Sequence, residues 1–269
     1  MFRADLHCHS KCSDGTLSPI QLIEEAKRIG LSGLSITDHD TLRAYEEAIP
    51  KAKEFDIRLG AGVEFSCIHQ GKSVHVLGYD FELSNEEIHS FCHQHVLRRR
   101  ERNLKILGKL QRLNMPIKEN ELKALTIIGR PHIAQAMVEK GYVDSIKEAF
   151  SSFIGEGKCC YDSGRPVLVE ETIEVIHAAK GKAFIAHPHL IAHRSLLKEL
   201  LKMPFDGIEC YYANFLTKEH KRWLQVAKEK NWLISGGSDF HGDIKPGLHL
   251  GCSWVDEQTF FSIFEHLLA

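Results

Sequence analysis

His7-x-His9 and Asp239-x-His241 each place two potential metal ligands on one side of an extended backbone, because successive side chains alternate across a strand. Both members of a pair can then reach one ion or two adjacent ions. Five further groups join them along the chain: Asp14, His39, Glu64, His75 and His187. Imidazole and carboxylate donors suit Mn²⁺, Fe²⁺ or Zn²⁺ better than Ca²⁺ or an all-thiolate structural zinc. If Asp14, Glu64 and Asp239 are the only anionic ligands of three divalent ions, about three positive charges remain for a bridging hydroxide and a phosphate dianion. Phosphoester hydrolysis fits that balance. Arg130 and His132 open an expected helix with Pro131 in its first turn, so a guanidinium fork, an imidazole and free backbone N–H groups could all face a phosphate.

Short apolar runs alternate with helix-period segments and set where these groups must lie. Strands are expected at 2–6, 34–36, 58–68, 73–81, 183–186, 207–210, 232–235 and 250–254, and the groups fall mostly at strand carboxyl ends. In a parallel barrel those ends share one mouth, whereas an open doubly wound sheet would gather ligands at a single switch point. Ser18, Pro19 and Gln21 signal a capped helix ending at Gly30, Ser84 with Glu87 signals another reaching about Leu113, and Gln70-Gly71 a hairpin or tight crossover. Shorter helices fit 118–125, 131–140 and 144–150. With no convincing strand in this stretch, residues 98–163 read as a helical insertion between barrel segments 1–97 and 164–269.

The 269 residues suffice for one large α/β domain with an insertion. With 34 basic against 36 acidic residues the net charge is −2, which excludes a global basic field for nucleic acid, while 17 histidines call for a reason. Eight irregularly spaced cysteines read as reduced thiols. No signal-peptide pattern or long apolar run is seen, so a cytoplasmic location without a membrane partner is expected.

The ordered strings D-L-H-C-H-S (5–10), S-D-G-T (13–16), I-T-D-H-D-T (36–41), G-V-E-F-S (62–66), V-H-V-L-G-Y (74–79), A-H-P (186–188) and G-S-D-F-H-G (237–242) jointly resemble the PHP (polymerase and histidinol phosphatase) superfamily. The resemblance implies an α/β fold, a distorted (β/α)7 barrel of PHP type, with two to three divalent metals, Mn²⁺ first and Fe²⁺ or Zn²⁺ as alternatives. With G-R-P-H (129–132) and G-E-G-K-C-C-Y (155–161), it points to the branch acting on nucleoside 3′,5′-bisphosphates, 5′-mononucleotides or short RNA 5′ ends. Carried over position by position, it implies one metal on His7, His9, Glu64 and Asp239, a second on Glu64, His75 and His187, and a third on Asp14, His39 and His241. Attack by a metal-bridging hydroxide would follow. The expected partner is a small phosphorylated nucleotide or short RNA, with no obligate protein partner indicated. A histidinol-phosphate-type phosphatase, a non-catalytic module and metal-assisted amide hydrolysis are the competing readings.

Other features read more simply. Asp38 and Asp40 are expected to support or cap rather than bind metal. Arg98, Arg99, Arg100, Arg102, Lys105, Lys109 and Arg112 interleave with Leu97, Leu104, Leu107 and Leu110 as the charged outer face of an amphipathic helix. His89 and His93 read as a solvated helix face, Cys8 and Cys12 as small buried thiols, and Lys158 as a weaker phosphate contact. Tyr211 and Tyr212 could equally stack a base or pack the barrel rim.

Overall fold

The structure, a computed structural model, describes residues 1–122, 127–191, 193–213 and 217–269. Its elements run β1 (Ala4–Cys8), α1 (Pro19–Arg28), β2 (Gly33–Ile36), α2 (Ala44–Phe55), β3 (Arg58–Leu59), β4 (Gly62–His69), β5 (Lys72–Tyr79) and α3 (Glu86–Arg112). There follow α4 (Arg130–Glu139), α5 (Ile146–Ala149), α6 (Val169–Ala178), β6 (Lys182–Ile185), α7 (Arg194–Leu200), β7 (Gly207–Tyr212), α8 (Thr217–Lys230), β8 (Leu233–Gly237) and α9 (Glu257–Ile263). The helix expected at 118–125 is one short 3-10 turn, Glu119–Glu121; residues 123–125 lie outside the described residues.

Local chemistry explains most boundaries. Ser18 accepts from Gln21 N while the Gln21 side chain accepts from Ser18 N, a reciprocal cap that stabilises α1 by about 1 kcal/mol. The second long helix is capped by Asn85, not Ser84: Asn85 Oδ1 accepts from the N–H groups of both Glu87 and Ile88. Gln70 and Gly71 both have positive φ, 49° and 74°, and return the chain as a hairpin.

Two mixed α/β layers result, with strand orders β1-β2-β3 and β4-β5-β6-β7-β8. Of the two readings at Gln70-Gly71 the hairpin holds, making β4 and β5 antiparallel; β5 also runs antiparallel to β6, which interrupts the parallel order expected from the βα repeats. The expected strand at 250–254 is replaced by a single bridge, Ala4 to Val255. Among the described residues no continuous ladder closes the two sheets into one ring. They meet through isolated bridges, Cys8 to Phe240 and His39 to Glu64, and through Asp5, whose Oδ1 accepts from His7 N and Ser238 N. Gly237 permits this approach, since a Cβ there would lie 2.3 Å from His7 N.

The main core packs Leu22 and Ile23 of α1 and Val63 and Phe65 of β4 among the other helices and strands. A second apolar cluster gathers Ile106, Leu107 and Leu110 of α3 with Ile133, Met137 and Ile154. Helix α3 therefore serves both. Its buried stripe runs Ile88, Phe91, His95, Asn103, Ile106 and Leu110, polar in the middle, while Leu97 and Leu104 are exposed. The expected solvated face holds for Arg100, Lys105 and Arg112, which are exposed, and is corrected at Arg99 and Arg102, which face inward while Leu97 and Leu104 face out.

Candidate active site

Nine side chains converge from both sheets. β1 delivers His7 and, just beyond its end, His9; the loops after β1 and β2 deliver Asp14 and His39; β4 and β5 deliver Glu64 and His75; the segments after β6 and β8 deliver His187, Asp239 and His241. Glu64 lies at the centre. Its Oε2 stands 3.3 Å from His7 Nε2, 3.2 Å from His9 Nε2 and 3.3 Å from His39 Nδ1, and its Oε1 stands 2.8 Å from His75 Nδ1 and 2.9 Å from His187 Nε2. Asp239 Oδ1 stands 3.5 Å from His7 Nε2 and 3.4 Å from His9 Nε2. Asp14 Oδ1 stands 3.4 Å from His241 Nε2.

These spacings suit donors that share an ion. Two ligands each about 2.1 Å from one cation stand roughly 3.0–3.4 Å apart. His7 Nε2, both ring nitrogens of His9 and His39 Nδ1 are buried with no hydrogen-bond partner, a deficit that coordination would remedy. Three groupings have ligand atoms within 4.8 Å of one another: His7, His9, Glu64 and Asp239; His9, Asp14, His39 and His241; and His39, Glu64 and His75. The first is the set the resemblance implies, the second adds His9 to the expected trio, and the third has His39 where His187 was expected. His187 nonetheless touches both Glu64 and His75, the latter at 3.3 Å.

Electrostatics point the same way. Burial alone would raise the Glu64 and Asp239 carboxyls, but His39, His75 and His7 around Glu64, and Lys245 and His7 beside Asp239, hold both well below the usual range. Burial pushes His39 down to about 3, leaving a neutral imidazole. Burial would also lower His9, yet Asp239 and Glu64 raise it to about 9: the carboxylates demand positive charge there, which a cation can supply in place of a proton.

Supporting groups orient the ligands. Asp38 accepts from Ser10 N at 2.7 Å and from the Ser10 and Ser13 hydroxyls at 2.5 Å each, fixing the loop that carries His9 and Asp14. Asp239 Oδ2 accepts from the Tyr212 hydroxyl at 2.7 Å and from Lys245 at 2.6 Å, leaving Oδ1 toward the histidines.

A cavity of about 210 Å³ lies against Asp14, His39, His75 and His241, with Arg99, Arg102, Arg130 and Lys245 also on its walls. Arg130 lies over the rings of Tyr161 and Phe150 at 5.2 and 5.8 Å. Burial, with Arg99 and Arg130 nearby, pushes Arg102 down to about 9, the mark of a cation cluster short of anions. His132 is placed differently: it lines an adjoining chamber of about 590 Å³, and its Nδ1 accepts from Gly129 N at 2.9 Å, capping α4. Lys158 is exposed, and His89 donates from an exposed position to Leu83 O at 2.6 Å. Cys8 and Cys12 are buried thiols.

Arg99, Arg102, Lys245 and Glu209 are the groups that sequence reasoning did not place in the site. Glu209 carried a signal, being a carboxylate inside the otherwise apolar strand 207–210. For the two arginines the signal was a run of cations on a helix, which solvation explains equally well.

The family model for the PHP domain matches residues 5–213. The chain belongs to the PHP family. A relative in Haemophilus influenzae, named 5′-3′ exoribonuclease, is 32% identical over 259 residues, covering 94% of this chain and 92% of its own. The 3′,5′-nucleoside bisphosphate phosphatase of Chromobacterium violaceum is 27% identical over 272 residues, covering 93% and 91%. Among solved structures, a Bifidobacterium adolescentis protein assigned as a metal-dependent phosphoesterase superposes with a TM-score of 0.87 at 30% identity, covering 97% of this chain and 94% of that one. Among the described residues no helix is long and apolar enough to cross a membrane.

Proposed function

We propose that this PHP protein is a metal-dependent phosphoesterase that hydrolyses phosphate esters of nucleotides: nucleoside 3′,5′-bisphosphates, 5′-mononucleotides or short RNA 5′ ends. One observation carries the reading. A cavity walled on one side by ligand-spaced histidines and carboxylates is walled on another by Arg99, Arg102, Arg130 and Lys245, so a phosphate ester bound there meets both. The names of the Haemophilus and Chromobacterium relatives support nucleotides as the substrate class.

His7, His9, Glu64 and Asp239 would hold one divalent ion, Asp14, His39 and His241 another, and Glu64, His75 and His187 a third, with Mn²⁺ our first assignment. Bound ions would supply water of lowered pKa and positive charge for phosphoryl oxygens. The protein's own part is positioning. Arg130, braced by two rings, and Arg99, anchored at Asp40, offer planar donor forks to the non-bridging oxygens. His132, kept neutral by burial and accepting at Nδ1, presents Nε2–H as a hydrogen-bond donor toward the adjoining chamber, where the nucleoside would lie. That chamber's size falls within the roughly 300–1,000 Å³ of small-ligand sites. Residues 98–163 form the insertion that brings Arg99, Arg102 and Arg130 over the site, and the two sheets are arcs of a distorted (β/α)7 barrel. The second apolar cluster supports the first statement and the two isolated bridges between sheets the second. The eight free cysteines suit a reducing cytoplasm.

The test is turnover of purified, Mn²⁺-supplemented protein on adenosine 3′,5′-bisphosphate, AMP, a 5′-phosphorylated oligonucleotide and histidinol phosphate. Release of phosphate or nucleotide from one of the first three, in preference to histidinol phosphate, is expected. No preference for any nucleotide would defeat the reading.

A further inference from the structure

Glu209, on β7, is fully buried and no lysine or arginine pairs with it among the described residues. A lone buried carboxylate is expensive unless its oxygens are satisfied. Both are, and by two candidate ligands from different segments, His7 on β1 and His187 after β6. Oε1 stands 2.8 Å from His7 Nδ1, and Oε2 accepts from the backbone N–H of His187 at 2.6 Å.

Each contact sets something the metal cluster needs. An acceptor at Nδ1 makes His7 carry its proton there, so Nε2 turns a lone pair toward Glu64 and Asp239. His187 has φ of 25°, an unfavourable conformation for a residue with a Cβ, and the Glu209 bond holds that backbone so the ring meets Glu64 and His75. The strand itself is shaped for this. Its register against β8 shifts between Glu209 and Tyr211, a bulge that turns both Glu209 and, three residues later, Tyr212 toward the site.

We propose that Glu209 is a positioning residue whose single carboxylate fixes the tautomer of His7 and the backbone of His187, so that two metal positions are set together. The inference rests on the metal cluster proposed above. Glu209→Gln is nearly isosteric and separates the two roles. Its amide oxygen can still accept from His187 N, but its NH₂ must face His7 Nδ1, which drives the proton to Nε2 and caps the lone pair.

The experiment combines three readouts on the full chain: bound Mn²⁺ per protein by elemental analysis, Mn²⁺ affinity by titration, and the His7 tautomer from long-range ¹H–¹⁵N correlation of the metal-free protein with ¹⁵N-labelled histidine, at a pH where the ring is neutral. For Glu209→Gln we expect a switched His7 tautomer and Mn²⁺ affinity lower by about 10–100-fold. Glu209→Asp, which keeps the charge but is too short to reach both partners, should also weaken Mn²⁺ binding by at least about tenfold, and serves if the Gln variant does not fold. Wild-type tautomer and affinity in either folded variant would overturn the proposal, as would a lowered melting temperature with unchanged Mn²⁺ binding, the result of a merely structural role. A wild-type protein that binds no Mn²⁺ would overturn the metal cluster itself, and that arm is read separately.

Discussion

Arg99 Nε donates to Asp40 Oδ2 at 2.5 Å, joining helix α3 to the residue that follows His39. Asp40 is fully buried in a left-handed conformation, φ 56°, and also accepts from Ser66 N at 2.8 Å, with His95 Nδ1 at 3.0 Å. Burial would raise its carboxyl, and Arg99 with His95 reverses this, holding it well below the usual range. The same guanidinium donates through Nη2 to Ser66 Oγ and lines the cavity beside the histidines. One ion pair thus fixes both the fold of α3 against the sheet and the aim of a cavity-lining cation.

The two halves of that pair separate by measurement. Asp40→Asn leaves Arg99 beside a neutral group and should destabilise by about 3 kcal/mol, the lower end expected for breaking a buried pair. Arg99→Ala should raise KM for a nucleotide by about tenfold or more, the loss of one charge-assisted hydrogen bond, with a smaller change in kcat. Denaturant midpoints and steady-state kinetics read these out. An Asp40→Asn protein that unfolds at the wild-type midpoint would show that the pair contributes no stability.

The candidate ligands were legible because their chemistry is local: His7-x-His9 and Asp239-x-His241 announce themselves by spacing, and strand ends can be read from apolar runs. The arginines were not. Whether Arg99 faces water or the site depends on the rotation of α3, which is set by Asn103 donating to Ile128 O at 2.8 Å, by His95 against Asp40, and by Ile106 and Leu110 in the second cluster. The leucines at 97 and 104 suggested the wrong inner face because a hydropathy pattern assigns every arginine to water and carries no mark of a buried partner such as Asp40. Strand direction was legible only in part: the Gln70-Gly71 turn allowed a hairpin or a crossover, and the antiparallel pairing of β5 with the distant β6 leaves no mark in either strand's own sequence.

Arg102, Arg99 and Arg130 repel one another across the cavity, so an anion should stabilise the protein. Inorganic phosphate at about one hundred times its Kd adds about 2.7 kcal/mol, a rise of several degrees in melting temperature for a chain of this size. Arg102→Met should match or exceed the wild-type melting temperature without phosphate and lose most of the phosphate-induced rise. If the Met variant gained as much from phosphate as the wild type, Arg102 would lie outside the anion site.

Glu64 faces five histidines through two oxygens, which sets it apart from every other ligand. Chelation with EDTA should abolish turnover and lower the melting temperature, and Mn²⁺ should restore both. Glu64→Ala should lose metal from all positions that use it, with a loss of activity greater than the about 10–100-fold typical of mutating a group that only supports a ligand. His187→Ala, at the periphery, should lose less metal per protein. Equal metal content in the two variants would remove Glu64 from the centre of the cluster.

Arg130 depends on its neighbours for direction. Its guanidinium lies over Tyr161 and Phe150, and its Nη1 is 3.4 Å from Ile154 O, so the plane of the fork is set before substrate arrives. A lysine keeps the charge but has neither the planar fork nor the stacking face. Arg130→Lys is therefore expected to raise KM for a nucleotide by about tenfold, the loss of one charged hydrogen bond with its orientation. Tyr161→Leu removes the platform and should reproduce part of that effect while leaving the charge in place. Because both act through one guanidinium, the double variant should be little worse than Arg130→Lys alone. Losses that simply add would mean that Tyr161 influences binding by another route, and the stacked arrangement would then have no part in phosphate recognition.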